Sequence, residues 1–184
     1  DRDIRPKTTN SWFSGCGGLT FVDLSALDFS ADSDMYGMFS YCSLLADIDI
    51  SGWDTSSVES MQSMFWGCSK LRAVNAAGWK TSKVTKMDGM FNGCTSLTSL
   101  VTSGWDTSAV EYMGWMFYGC RSLSSLDLNA WNTSSVKDTN FMFGTCSSLA
   151  YLNVSSWNTS SIVDMNNMFN GCSNLTSLDI SRWD

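Results

Sequence analysis

One pattern of apolar and polar positions recurs along the chain every 26 residues. Starting each unit at its leucine gives 19–44, 45–70, 71–96, 97–122, 123–148 and 149–174, with a half unit before (Trp12 to Cys16) and a partial unit, 175–184, after. Two periodicities follow one another inside the unit. Leu126-Asp127-Leu128 alternates apolar and polar, which predicts a short strand. Equivalent strands are predicted near 22–24, 48–50, 74–76, 100–102, 152–154 and 178–180. The second half changes period. Val58, Met61, Met64, Phe65 and Cys68 fall on one face of a short helix. Asp54-Thr55-Ser56-Ser57 offers side-chain acceptors for its first N–H groups. Ser56 with Glu59, and Ser108 with Glu111, match a capping box, and glycine at 67, 93, 119 and 171 suits its end.

A fixed period of this length predicts a solenoid, each repeat stacked on the next. Strands separated by long crossovers predict one parallel sheet with right-handed connections. The expected fold class is therefore an α/β solenoid, with a parallel β-sheet on one face and short helices on the other. Residues 1–11 read as an N-terminal tail or cap, and 12–184 as the solenoid, six full repeats plus partial end units. The first residue is not Met and the last repeat is incomplete, so the chain reads as part of a longer one. The tryptophans at 53, 79, 105, 131, 157 and 183 and the leucine, valine, methionine, phenylalanine and cysteine columns are the candidate core. Ala76 and Thr102 stand between Ile50 and Leu128 in one strand column, which predicts looser packing there.

The consensus LxxLDLSxWDTSSVxxMxxMFxGCSS, carried by Leu97 to Cys120, Leu123 to Cys146 and Leu149 to Cys172 among others, resembles the BspA-like leucine-rich repeat family. The resemblance runs from Trp12 onward. It implies a leucine-rich-repeat surface protein, secreted or displayed on the cell surface, that binds another protein or a surface component without catalysis. A structural subunit of a larger extracellular or supramolecular assembly is the alternative, expected to co-purify with neighbours in fixed stoichiometry. The first unit departs from the pattern, with Leu27 in place of Trp and Asp32 in place of Val, and Thr139 replaces a Met.

Charge and chemistry narrow the reading. Net charge is −7, which disfavours a nucleic-acid partner. No apolar run reaches the roughly 18 residues of a membrane span. The chain has no His, no Gly-rich phosphate loop and no carboxylate pair outside the repeat pattern, so neither a catalytic site nor a cofactor is expected. Cysteine keeps the period at 16, 42, 68, 94, 120, 146 and 172, one per turn on the apolar face. That predicts a buried ladder of small hydrophobes, with inter-turn disulfides as the alternative and no metal cluster.

Candidate binding positions lie in exposed columns. Asp23, Asp49, Asp127 and Asp179 lead the outer face of the sheet, a candidate for a polar or basic partner or simply a solvated face. By helical phase, Trp66, Tyr112, Trp115, Tyr118 and Phe141 fall on the polar side of the helix, where other repeats carry Ser63, Gly89, Asn92 and Asn167. Trp115 and Phe141 are one turn apart and expected to touch. Such exposed aromatics mark interfaces. The ladder Thr55, Thr81, Thr107, Thr133 and Thr159, flanked by serines, raises an ice-binding alternative, although helix capping already accounts for it. N-x-S/T sequons make Asn132, Asn153, Asn158 and Asn174 glycosylation candidates.

Overall fold

The computed structural model describes residues 4–184; the first three residues of the expected tail or cap lie outside the described residues. Successive 26-residue coils stack in parallel register, so that like side chains lie over like. Phenylalanines 39, 65, 91, 117 and 143 stack with ring centroids 5.6–5.8 Å apart and planes within 8°. Tryptophans 53, 79, 105 and 131 form a second column at 5.8–6.4 Å. Both columns are buried, with the leucine, valine and methionine columns around them. Where Leu27 interrupts the indole column, Phe29 takes its place and stacks on Trp53 at 4.1 Å. Asp32, in the valine column, is buried and accepts a 2.6 Å hydrogen bond from the Thr9 hydroxyl. Thr139 is buried in its methionine column.

The strands have the expected length and begin one residue earlier. We label them β1 (Ala73–Asn75), β2 (Ser99–Val101), β3 (Ser125–Asp127) and β4 (Tyr151–Asn153). They form two parallel pairs, β1 with β2 and β3 with β4, rather than one continuous sheet. Among the described residues, 22–24, 48–50 and 178–180 form no named strand. The break between β2 and β3 falls beside Thr102. Tryptophans 79, 105, 157 and 183 each donate the indole N–H to a carbonyl of the preceding coil at 3.0–3.2 Å. Trp131, whose counterpart would be Thr102, has a buried indole nitrogen with no partner. A small polar residue in an aliphatic column thus coincides with a local opening of the stack.

The helices are the main correction. Among the described residues the only helix is the 3-10 turn Phe29–Ala31. The expected helical segment is a run of tandem turns. Trp66 N–H bonds back to Ser63 C=O at 3.0 Å and Cys68 N–H to Phe65 C=O at 3.1 Å. The alternate N–H groups of the same run cross to the next coil: Met61 to Lys86 C=O, Ser63 to Asp88 C=O and Phe65 to Met90 C=O, all at 2.9–3.0 Å. An α-helix would close all of these bonds internally. Two left-handed residues per coil prevent it, as at Ser63 (φ 57°) and Gly67 (φ 73°). The spacing of three that resembles a helical face is the spacing of successive turns. The capping boxes therefore cap no helix. Ser56 N–H is held by Asp54 Oδ1 at 3.1 Å, and Glu111 pairs with Lys137 at 2.7 Å.

The threonine ladder points inward. Thr55, Thr81, Thr107, Thr133 and Thr159 are buried, and each hydroxyl donates to a carbonyl of the next coil at 2.8–3.4 Å. These hydroxyls latch neighbouring coils and are not presented to a surface, so the ice-binding alternative falls. Residues 9–15 continue the same ladder, with Ser11, Phe13 and Gly15 N–H groups donating to Tyr36, Met38 and Ser40 carbonyls at 2.8–2.9 Å.

The cysteines are free. Cys68, Cys94, Cys120 and Cys146 are buried, and each thiol donates to the phenylalanine carbonyl of the preceding coil at 3.0–3.2 Å. Burial, followed by the neighbouring thiol, pushes Cys68 and Cys146 up to about 12. A thiol raised in this way favours the folded state fully below its unfolded value, about 8.5, and the benefit is lost as pH climbs through 12. Native alkylation at pH 8, read by peptide mass, is expected to label exposed Cys16 and to spare cysteines 68 to 146. Stability measured by denaturant melts is expected to fall steadily above pH 9.

Candidate functional site

The turn face carries the unusual chemistry. Position 63 of the repeat is left-handed in every full coil, and Gly37, Ser63, Gly89 and Asn167 are small or polar residues that accept it. Trp115 (φ 60°) and Phe141 (φ 51°) hold the same conformation with large aromatic side chains. For bulky residues this costs on the order of 1–3 kcal/mol and persists only where the surroundings impose it. Their rings stack at 4.3 Å with planes 23° apart, and Tyr118 closes the group at 4.8 Å from Trp115 and 6.0 Å from Phe141. The expected contact between Trp115 and Phe141 is thus present. All three side chains are half-buried, while Tyr112 is 37% exposed.

Glycines seat some of these rings. A Cβ on Gly89 would lie 2.8 Å from the Trp66 ring, and one on Gly144 would lie 2.7 Å from Tyr118. Trp66 is half-buried on its glycine and stands apart from the Trp115 group. Tyr41, which the sequence pattern did not single out, sits on Gly67 in the same way. The signal was available: an aromatic is followed 23 or 26 positions later by glycine.

Beside the aromatic stack lies a hollow of about 300 Å³, lined by Gln62, Lys86, Asp88, Tyr112, Gly114, Trp115, Asp138 and Asn140. Gly114 has no positive φ; here the missing Cβ makes room for side chains of the next coil to pack close. That atom would lie 2.7 Å from Asn140 Oδ1, 3.1 Å from Asp138 Oδ2 and 3.3 Å from Asp138 Oδ1. Asn140 Oδ1 is shut off from solvent and has no hydrogen-bond partner. Gln62 donates its amide to Asp88 Oδ2. Burial holds the Asp88 carboxyl above the usual carboxylate range, against the opposing pull of that hydrogen bond. Sequence reading missed this hollow because its residues come from different repeat columns and match no motif.

The sheet-face aspartates serve the fold. Asp23, Asp49, Asp127 and Asp179 are exposed, and each accepts the N–H two residues on, from Ser25, Ser51, Asn129 and Ser181, at 2.9–3.1 Å. Hydrogen bonds from Ser25, Ser51 and Ser181 hold Asp23, Asp49 and Asp179 below the usual carboxylate range. These are Asx turns, only that of Asp127 closing a named strand, and none of the four lines the hollow beside the aromatic group. Among the sequons, Asn132, Asn158 and Asn174 are exposed, while Asn153 is half-buried on β4, paired with Asp127. Asn132, Asn153 and Asn158 spend their side-chain oxygen on the N–H two residues on, at 3.0–3.4 Å.

Comparison with known proteins fits this geometry. The family described as "Mycoplasma protein of unknown function, DUF285" matches residues 7–127 and 125–184. The chain belongs to that family. Its fold is similar to that of the leucine-rich repeat protein of T. pallidum, with a TM-score of 0.61 over 95% of this chain and 72% of that one. Identity is 20%, so the likeness is one of fold. No curated protein sequence matches the chain. It is a leucine-rich-repeat-like protein in which tandem turns replace the helices, and no helix among the described residues is long and apolar enough to cross a membrane.

Proposed function

We propose that the protein is a non-catalytic recognition module, secreted or displayed at a cell surface, that binds another protein or a surface component through its turn face. The observation that carries this reading is the Trp115–Phe141 stack. Two bulky residues occupy a left-handed position that neighbouring coils give to Ser, Gly or Asn. The fold does not require them, since the other coils close the same turn without them. Aromatics held half-exposed at a conformational cost are suited to burial against a partner, where rigid rings give large contact area with little further loss of entropy. The net charge of −7 favours a basic or polar partner over nucleic acid. The resemblance to BspA-like surface proteins supports the same reading.

The test is binding to plates coated with a basement-membrane protein mixture, against albumin-coated plates. The wild-type chain is expected to bind the matrix saturably, and Trp115→Ser with Phe141→Ser is expected to bind at least tenfold more weakly. Its melting temperature should be unchanged or higher, since Ser63 already fills this column. Equal binding by both proteins, or no binding above albumin, contradicts the proposal. Unfolding of the double variant would show that the stack serves the fold.

A further inference from the structure

The seam between coils 97–122 and 123–148 is tied on one side only. On the sheet side β2 and β3 do not pair, and among the described residues no hydrogen bond crosses between 97–105 and 123–131. In the flanking seams Ala76 N–H donates to Val101 C=O at 3.3 Å, and Leu128 N–H to Asn153 C=O at 3.0 Å. Thr102 N–H, at the same place in the repeat, has no such acceptor. Of the five seams between tryptophan-bearing coils, four carry an indole hydrogen bond to a carbonyl 29 residues back. Here that carbonyl would be Thr102, and the buried Trp131 Nε1–H has no partner. The half-buried Thr102 hydroxyl also bonds to no group of the described chain, in a column that is otherwise aliphatic. A hollow of about 660 Å³ follows the seam, lined by Thr98, Val101, Thr102, Leu126 and Trp131 among others.

On the turn side the same seam is tied along its whole run. Met113, Trp115, Phe117 and Gly119 N–H groups donate to Asp138, Asn140, Met142 and Gly144 carbonyls at 2.8–3.0 Å. The Trp115–Phe141 stack crosses it as well, and in this column no other seam has two aromatics facing each other. A buried donor without a partner and a hydroxyl among aliphatic side chains both weigh against keeping the sheet side shut. Nothing on the turn side does.

We propose that this seam is the hinge of the solenoid. The pairs β1–β2 and β3–β4 move as two blocks. The sheet face opens and closes between them, and the turn ladder with the aromatic stack over it is the pivot. A solenoid presents its sheet as an extended surface whose curvature is set by the small rotation between repeats. Here that curvature is adjustable at one point, in the interior of the stack, through a junction that is the least hydrogen-bonded of its kind. The hinge stands on the hydrogen-bond ladder alone and is independent of what the turn face binds.

Exchange of the indole Nε1–H groups with deuterated water, followed by NMR on the intact chain, tests the hinge. Trp105, Trp131 and Trp157 are buried alike, at 6%, 4% and 1% exposed. Trp131 is expected to exchange at least tenfold faster than both. Relaxation dispersion should show one common microsecond-to-millisecond process at amides 98–102 and 124–128. The Met113 and Phe117 amides, at the pivot, should be free of it. Thr102→Val keeps the shape of the side chain, removes the hydroxyl and restores the aliphatic column. It is expected to slow Trp131 exchange at least fivefold and to quench the dispersion, with Trp105 and Trp157 unchanged. Trp131 exchanging no faster than its neighbours would overturn the hinge, and this comparison needs no variant. Exchange and dispersion that ignore Thr102→Val would do the same, as would dispersion spread evenly along the sheet side of every seam. Dispersion at Met113 and Phe117 as strong as on the sheet side would mean that the coils part altogether, and would remove the pivot.

Discussion

Each coil of this protein is completed by its neighbour. Its odd-numbered turn N–H groups, its threonine hydroxyls, its thiols and most of its indole N–H groups find their acceptors in an adjacent coil. The acceptors lie 25, 26 or 29 residues away, so an offset of one residue would leave the whole set unpaired. Buried donors without partners cost about 1–3 kcal/mol each, and several are at stake in every coil. This explains the strict period better than the apolar columns do. Stacked rings tolerate small slips, whereas a ladder of hydrogen bonds does not.

The same constraint shapes the turn face. A helix would consume its own N–H groups and leave the coils joined only by side chains. Tandem turns release alternate N–H groups to the next coil, at the cost of two left-handed residues per repeat. Glycine, serine and asparagine meet that cost readily. Bulky residues meet it at Tyr41, Trp115, Phe141 and Thr145, and of these Trp115 and Phe141 lie in adjacent coils and stack on each other. Trp115 and Phe141 adjoin the hollow beside Gly114, which Trp115 helps to line.

Much of the architecture was legible in the sequence because stacking turns each column into a repeated letter. The buried tryptophan, phenylalanine and cysteine columns, the contact of Trp115 with Phe141 and the weak point at Thr102 all follow from comparing one repeat with the next; Ala76, expected to be loose as well, is buried and its carbonyl accepts the Trp105 indole N–H. The turns were misread as helices because a spacing of three and four does not distinguish a helical face from successive three-residue turns. The threonines were read as caps because a hydroxyl after an aspartate suits both a cap and an inter-coil latch; only the acceptor tells them apart. The hollow was not legible, since Asp88, Gly114, Asp138 and Asn140 are unremarkable in their own columns and meet only through the stack.

Inter-coil hydrogen bonding is directly observable as scalar coupling across the bond. The Phe91 N–H donates to the Met116 carbonyl at 2.9 Å. Coupling between the Phe91 amide nitrogen and the Met116 carbonyl carbon, repeated for Phe65 with Met90 and Phe117 with Met142, is the result this account predicts. Coupling of Phe91 to the Met87 carbonyl instead, the partner four residues back that an α-helix would supply, would contradict it.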